Sequence, residues 1–270
     1  MATYKNDTKF KKLRKILSGY ERIVVAFSGG VDSSFLLAAA AEILNGEVIA
    51  VTADSEIRSR RDLIASRDLA KKLGVRHIVI KTNELKNKHV SDNHPARCYH
   101  CKKSVFLKLM DIADKHKIST ICEGSNTDDG KMYRPGEKAV KELGIKSPLR
   151  EAGFNKAAIR TLSKKMGLKA HNKPSMSCYL TRFPYGTVID KVKLIKLKEA
   201  EKYLEGLLTC QIRVRIHGDT VRIEIPPETM PRMISSAVRR KIVHKLRSLG
   251  YHYITLDLEG YRTGSMDIRL

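Results

Sequence analysis

Seven consecutive residues, Ser28-Gly29-Gly30-Val31-Asp32-Ser33-Ser34, bring together two glycines, three hydroxyls and one carboxylate. Glycine lets backbone amides approach an anion closely. Where such a string joins a strand to a helix, the unpaired amides and the positive end of the helix dipole face a phosphate. Asp32 repels an anion unless a cation shares the site, and a Mg²⁺ bridging Asp32 to phosphate oxygens removes that conflict. The Gly-Lys-Ser/Thr ending of a Walker loop is missing. The plainer reading is a glycine turn with Asp and Ser caps, but the full string between a strand and a helix favours a phosphate loop. The second chemistry-bearing set is the cysteines: Cys98, Cys101, Cys122, Cys178 and Cys210. Their odd number argues against a disulfide framework. Cys98 and Cys101 form a C-x-x-C, which suits half a zinc site or a redox pair. Zinc could complete its shell with Cys178 and a histidine such as His94 or His100. Cys122 and Cys210 read as small buried hydrophobes.

The elements around these residues alternate. Apolar, β-branched runs at 22–27, 47–53, 76–81 and 119–123 predict buried parallel strands. Helices are expected over 9–18, 35–44, 59–73, 103–115 and 156–166, the last opened by Asn155 and closed by Gly167. Strands alternating with helices indicate an α/β domain on a parallel sheet. A loop-like stretch over 170–186 precedes a change of rhythm. A helix is expected over 191–207. Alternating runs at 211–216 and 220–225 flank a tight turn at His217, Gly218 and Asp219. A helix over 231–249 and a strand over 253–258 complete a small α+β unit. The expected division is therefore 1–186 and 187–270.

With 52 basic and 29 acidic residues, the net charge of +23 favours anionic partners such as nucleotides, RNA or phosphorylated metabolites. A solvated basic surface is the plainer explanation. The polar, basic N-terminus lacks the apolar core of a secretory signal, and no run approaches the length of a membrane span. A cytoplasmic protein without a membrane partner is expected.

The loop at 28–34 resembles the SGGxDS pyrophosphate loop of the PP-loop ATP pyrophosphatases. This resemblance implies an adenine nucleotide alpha hydrolase-like fold, cleavage of ATP between its α and β phosphates, an adenylated intermediate and release of pyrophosphate. Three further segments, 93–102, 123–136 and 172–186, narrow the class. Together with Ser147, Pro148, Leu149, Ile159 and Arg160, and with Arg213, Arg215, 256–262, Gly264 and Ser265, they are similar to the LarE family along nearly the whole chain. LarE enzymes are ATP-dependent sulfur insertases acting on pyridinium biscarboxylic acid mononucleotide, in the biosynthesis of the nickel-pincer cofactor of lactate racemase. The resemblance implies that a substrate carboxylate is adenylated and becomes a thiocarboxylate.

Within that reading, Ser28, Gly29, Gly30, Asp32, Ser33, Ser34, Gly124, Asn126 and Arg134 are expected to bind ATP. Asp32, Cys178 and Arg182 are the expected catalytic groups. Arg213 and Arg215, two apart on a strand, share a face and are expected to grip the substrate phosphate. Lys102 is a further candidate for phosphate, and Glu123, Asp128 and Asp129 are candidates for a general base, a Mg²⁺ ligand or a cap. The family supplies sulfur in two ways. A single cysteine, matched here by Cys178, gives up its own sulfur and becomes dehydroalanine. Alternatively, three cysteines hold a [4Fe–4S] cluster whose fourth iron delivers sulfide. The pair Cys98 and Cys101, beside Cys178, favours the cluster. The expected partners are a small mononucleotide, a sulfide source and a second copy of the chain. A PP-loop tRNA thiolase is the main alternative, although no RNA-binding module is recognisable. An ammonia-using synthetase is less favoured because no glutaminase domain is present. A nucleotide sensor without turnover is also less favoured, since Asp32 is intact.

Overall fold

The structure, a computed structural model, describes residues 3–129, 135–174, 177–262 and 264–266. Contacts divide the chain into two units, 1–90 with 96–176, and 91–95 with 177–270.

The first unit is built on β1 (Ile23–Ala26), β2 (Val48–Asp54), β3 (Arg76–Lys81) and β4 (Thr120–Cys122). These form a parallel sheet in the order β3-β2-β1-β4. An isolated bridge from Cys122 to Lys146 prolongs the β4 edge. The helices are α1 (Thr8–Leu17), α2 (Val31–Ile43), α3 (Arg60–Lys72), α4 (Lys88–Ser91), α5 (Arg97–Lys115), α6 (Gly136–Glu142), α7 (Pro148–Glu151) and α8 (Lys156–Lys165). Period-two alternation sorts β1 between two cores. Ile23 and Val25 pack with α1, α2 and α8, whereas Val24 packs with Phe106, Leu109 and Ala113 of α5. Residues 33–40 of α2 are all buried, as a helix apolar all round must be. Phe154 closes this core, its ring 5.3 Å from that of Phe35 in an edge-on arrangement.

The strand order fixes where a ligand can bind. From β1 the chain steps outward through β2 to β3, then returns to place β4 on the other side of β1. In an open α/β sheet, such a reversal leaves a crevice at the carboxyl ends of the two strands that flank it, here β1 and β4. The segments leaving β1 and β4 at that crevice are the 28–34 loop and the 123–129 loop.

The second unit contains α9 (Lys191–Leu208), β5 (Arg213–His217), β6 (Thr220–Glu224), α10 (Met230–Ile234), α11 (Ser236–Ser248) and β7 (Tyr253–Leu256). Strands β5 and β6 form the expected hairpin, and β7 joins β6 in parallel. The short 91–95 segment belongs here. Buried Asn93 donates its amide to the carbonyls of Phe183 (3.0 Å) and Pro184 (2.8 Å), and Gly186 N–H donates to the Asn93 carbonyl.

Three boundaries differ from the sequence expectation. The units part after Met176 rather than at 186, because 177–189 is bonded to 91–95 and to α9. Helix α5 begins at Arg97, six residues before the expected start, and so carries both Cys98 and Cys101. Cys, Tyr and His are modest helix formers, but a strong helical run propagates back through them once nucleated. The expected helix over 231–249 breaks at Ser235, which is extended, and the Ser235 hydroxyl caps the Arg232 carbonyl.

Removing the Phe154 ring takes away the lid on the α2 core. The variant Phe154→Ala should lose about 3–5 kcal/mol of stability, read from urea unfolding followed by circular dichroism.

Candidate active site

The phosphate loop is held open by its own hydrogen bonds. Gly29 has φ +73°, and a Cβ there would lie 2.6 Å from the Asp62 carbonyl oxygen. The Ser33 hydroxyl donates to the Gly30 carbonyl (3.3 Å) and accepts from Ser28 N–H (3.3 Å); the two Ser oxygens are 3.0 Å apart. Gly30 caps α2 without a side-chain hydrogen bond, which leaves the first-turn amides to an incoming anion.

Asp32 stands in the first turn of α2. Its Oδ2 lies 2.7 Å from Lys156 Nζ, and its Oδ1 accepts weakly from Asn126 Nδ2 at 3.5 Å. Lys156, the first residue of α8, thus sets an ammonium beside the Asp32 carboxylate. The 123–129 loop forms the opposite wall. Gly124 presses on α2 so closely that a Cβ would meet Ser33 N at 2.9 Å and the Asp32 carbonyl carbon at 3.1 Å. Asn126 N–H donates to Asp129 Oδ2 (3.0 Å), Asp128 N–H to Asn126 Oδ1 (2.9 Å), and Lys156 N–H to Asp128 Oδ2 (2.8 Å). Asp128 and Asp129 therefore brace the loop through backbone amides.

Glu123 is 6% exposed and accepts from Ser147 Oγ (2.7 Å) and Ser125 N–H (3.0 Å), with Lys102 Nζ 3.5 Å away. Burial alone would raise its pKa, but Lys102 and the two serines outweigh burial and hold the carboxyl below its ordinary range. Lys102 is accordingly committed to Glu123.

Lys173 reaches into the phosphate loop from the segment after α8. Its ammonium donates to the Gly29 carbonyl at 2.9 Å and pairs with Asp62 at 2.5 Å. Arg160 of α8 fastens this segment, donating to the carbonyls of His171 (2.6 Å) and Lys173 (2.8 Å). The sequence reading missed Lys156, Lys173 and Asp62. Lys173 lies in one of the motif segments, whereas Lys156 carries no local signal beyond its place after the cap Asn155. Arg134, expected to bind ATP, lies outside the described residues.

The cysteines separate by chemistry. Cys122 is buried at the end of β4, and burial pushes its thiol up to about 12. Burial also raises Cys210. Neither suits a thiolate role. Cys98 and Cys101 are half-buried and three apart at the start of α5, hence on one side of that helix. Cys178, also half-buried, belongs to the second unit. Among the described residues, no three His, Cys, Asp or Glu side chains gather as a metal site.

Around Cys178 the second unit holds a cluster of buried charge. The Arg182 side chain is wholly buried. Its Nε donates to Glu201 Oε1 at 3.0 Å, and one terminal nitrogen reaches the Ser177 hydroxyl (2.8 Å) and the Cys178 carbonyl (3.0 Å). Burial would weaken its hold on the proton, but Glu201 more than offsets this and raises it. Arg215 is 4% exposed and bound to Glu224 (2.8 Å) and the Thr181 carbonyl (3.0 Å). Arg213, 3% exposed, lies over the Tyr261 ring at 5.2 Å. Burial, then the neighbouring Arg182, lowers its pKa. Arg213 and Arg215 thus sit inside the unit instead of projecting from it, and Arg215 is committed to a carboxylate.

Comparison with known proteins places this geometry. Residues 13–116 match the asparagine synthase family, whose model covers the phosphate loop and the strands flanking it. Pyridinium-3,5-bisthiocarboxylic acid mononucleotide synthase of Lactiplantibacillus plantarum is 36% identical over 96% of this chain and 94% of its own length. The chain belongs to the LarE family. An uncharacterized protein of Synechocystis is 35% identical over 97% of both chains. The tRNA-specific 2-thiouridylase MnmA of Rickettsia rickettsii is 28% identical over 63% of this chain and 57% of its own. This LarE-family chain is an ATP-dependent sulfurtransferase with a PP-loop α/β domain. No helix among its described residues is long and apolar enough to cross a membrane.

Two outcomes test the site. Gly124→Ala places a methyl against the backbone of α2 and should weaken ATP binding about tenfold or more, as an overpacking cost of 1–3 kcal/mol implies. Calorimetric titration with ATP checks this, with circular dichroism showing an intact fold. Separately, the depressed carboxyl of Glu123 binds its proton less tightly in the folded state than in the unfolded chain. Its stabilising effect is present above the unfolded value, about 4.3, and is lost as pH falls through the lower folded value. Glu123→Gln should therefore flatten the fall of stability below about pH 4.3, measured as the urea midpoint against pH.

Proposed function

We propose that this enzyme adenylates a carboxylate of pyridinium-3,5-biscarboxylic acid mononucleotide and replaces one carboxylate oxygen by sulfur, in nickel-pincer cofactor biosynthesis. The near-full-length likeness to the Lactiplantibacillus plantarum synthase carries this reading. The substrate carboxylate attacks the α phosphorus of ATP, and pyrophosphate leaves with the bonding electrons. Hydrosulfide then attacks the acyl carbon, and AMP departs with the displaced oxygen. The thiocarboxylate that remains has gained one C–S bond for one C–O bond, with no change in redox state.

The chain's own groups suit these steps. Ser28, Gly29, Gly30, Ser33 and Ser34 offer amides and hydroxyls to the β and γ phosphates. Lys173 keeps the Gly29 carbonyl turned away from them. Gly124 and Asn126 form the far wall, and Arg134 follows on the same segment. Asp32 has one oxygen without a strong partner, and Mg²⁺ needs only one or two carboxylates beside phosphate and water. Bound there, Mg²⁺ would neutralise phosphate charge. In the second unit, Arg213 and Arg215 are the cations assigned to the substrate phosphate. Arg182 holds the backbone at Cys178 and so positions that thiol.

For the sulfur, we assign Cys98, Cys101 and Cys178 to a [4Fe–4S] cluster. Three thiolates would ligate three irons of such a cluster and leave the fourth open to sulfide. The likeness to a tRNA thiolase covers only 63% of the chain and accounts for the shared ATP chemistry.

Protein purified without oxygen and supplied with iron and sulfide should hold about four irons per chain. Cys98→Ala and Cys178→Ala should each lose them. With ATP and the mononucleotide, the holoenzyme should release pyrophosphate and form thiocarboxylate over many turnovers. An iron-free protein that turns over once and leaves dehydroalanine at Cys178 would reassign the donor to that cysteine. Pyrophosphate release unaffected by the mononucleotide would remove the proposed substrate.

A further inference from the structure

Helix α11 presents a face that the sulfur chemistry does not use. Between Thr229 and Leu256 the chain has six arginines and lysines and no acidic residue. Ile242 and Leu246 turn inward to the core of the second unit. Arg239, Arg240, Lys241, His244 and Arg247 are exposed on the other side. Lys245 reaches Glu199 of α9 at 3.5 Å. Arg239, Arg240 and Arg247 have no ion pair among the described residues. They line an open hollow of about 590 Å³ together with Val243, His244 and Ser248.

Three unneutralised guanidiniums on one face repel one another and attract anions. Seven residues separate Arg240 from Arg247, about 10.5 Å along the helix axis at 1.5 Å per residue. One phosphate cannot reach both, so the matching ligand carries charge at repeated intervals. Apart from the His244 imidazole, the hollow is lined by no aromatic ring on which an unpaired base could stack. It also lacks the large apolar side chains that an interfacial membrane helix inserts. Guanidinium forks fit phosphodiester oxygens. His244 and Ser248, between and beside the arginines, offer both donors and acceptors, which is what a ribose 2′-hydroxyl engages.

We infer that the outer face of α11 is a docking surface for the backbone of double-helical RNA. It contacts phosphates through Arg239, Arg240 and Arg247, and ribose through His244 and Ser248. Recognition follows shape and charge, without reading sequence. None of these residues is among those assigned to ATP, sulfur or mononucleotide, so either assignment can fail without the other.

The test is titration of the full-length protein into a fluorescently labelled RNA duplex of about 20 base pairs, a length in the range that a double-stranded RNA domain spans, over a series of salt concentrations. Binding should weaken linearly on a log–log plot. The triple variant R239Q/R240Q/R247Q should bind at least about tenfold more weakly, with the salt slope smaller by about 3, roughly one per phosphate contact. ATP-dependent pyrophosphate release should be unchanged, as should the melting temperature. Arg→Lys at the same three positions keeps the charge and should retain most of the binding. A second triple variant, K11Q/K12Q/K15Q on the exposed face of α1, removes the same charge elsewhere and should bind as the unaltered protein does. Equal losses in the two Gln variants would reduce the interaction to net charge and overturn the proposal. So would a duplex DNA that binds as tightly as RNA, or polyglutamate or anionic vesicles that displace the RNA at equal charge.

Discussion

The nucleotide crevice depends on how closely the chain leaving β4 can lie against the first turn of α2. A single added carbon at Gly124 would fall within 2.9 Å of Ser33 N. That approach brings Asn126 to Asp32 and lets the loop after it be braced by Asp128 and Asp129. Lys156, on the next helix, then reaches the Asp32 carboxylate. Sheet order creates the crevice, but backbone contact at one glycine sets its width. Because that contact is between main chains, no rotamer change can relieve it. The crevice is accordingly fixed at that main-chain contact, and the long cations at its edge are the groups with rotamers to change.

The second unit solves a different problem. It buries Arg182, Arg213 and Arg215 with Glu201 and Glu224. Buried ion pairs recover their desolvation cost only when the geometry is good and the remaining donors are satisfied. Arg182 meets that condition through Glu201 and the carbonyls of 177–178. Glu224 meets it through Arg215, Arg222 and Ser265. A network of this kind adds little net stability, but it leaves few alternative conformations for the backbone at Cys178. Order at a thiol is worth such an arrangement when the thiol has chemistry to perform.

Local patterns in the chain were enough to read the parallel sheet and the strand-to-helix setting of the 28–34 loop. Apolar runs mark parallel strands, and glycine beside serine marks a close approach to an anion. Two kinds of fact were not legible. One is pairing across distance. Lys156 follows Asp32 by 124 positions in the chain, and Lys173 follows Gly29 by 144, and no periodicity connects them. The other is burial of charge. Arg213 and Arg215 share a strand face as their spacing requires, but spacing cannot say whether that face meets solvent or protein. The helix holding Cys98 and Cys101 was missed at its start for a simpler reason. Propensity is a weak prior for short stretches of Cys, His and Tyr, and the following strong run carried them into helix.

Cys122 has a consequence for an enzyme that transfers sulfur. It lies at the carboxyl end of β4, one residue before Glu123, yet its thiol is held near 12 by burial. At cellular pH it stays protonated, and a protonated thiol is neither a good nucleophile nor a metal ligand. Persulfides, free iron and oxidants that reach the crevice therefore meet one sulfur that does not answer. Discrimination among five cysteines needs no shielding lid and no special sequence. Hydrocarbon packed against one side chain keeps the wrong thiol out of the chemistry.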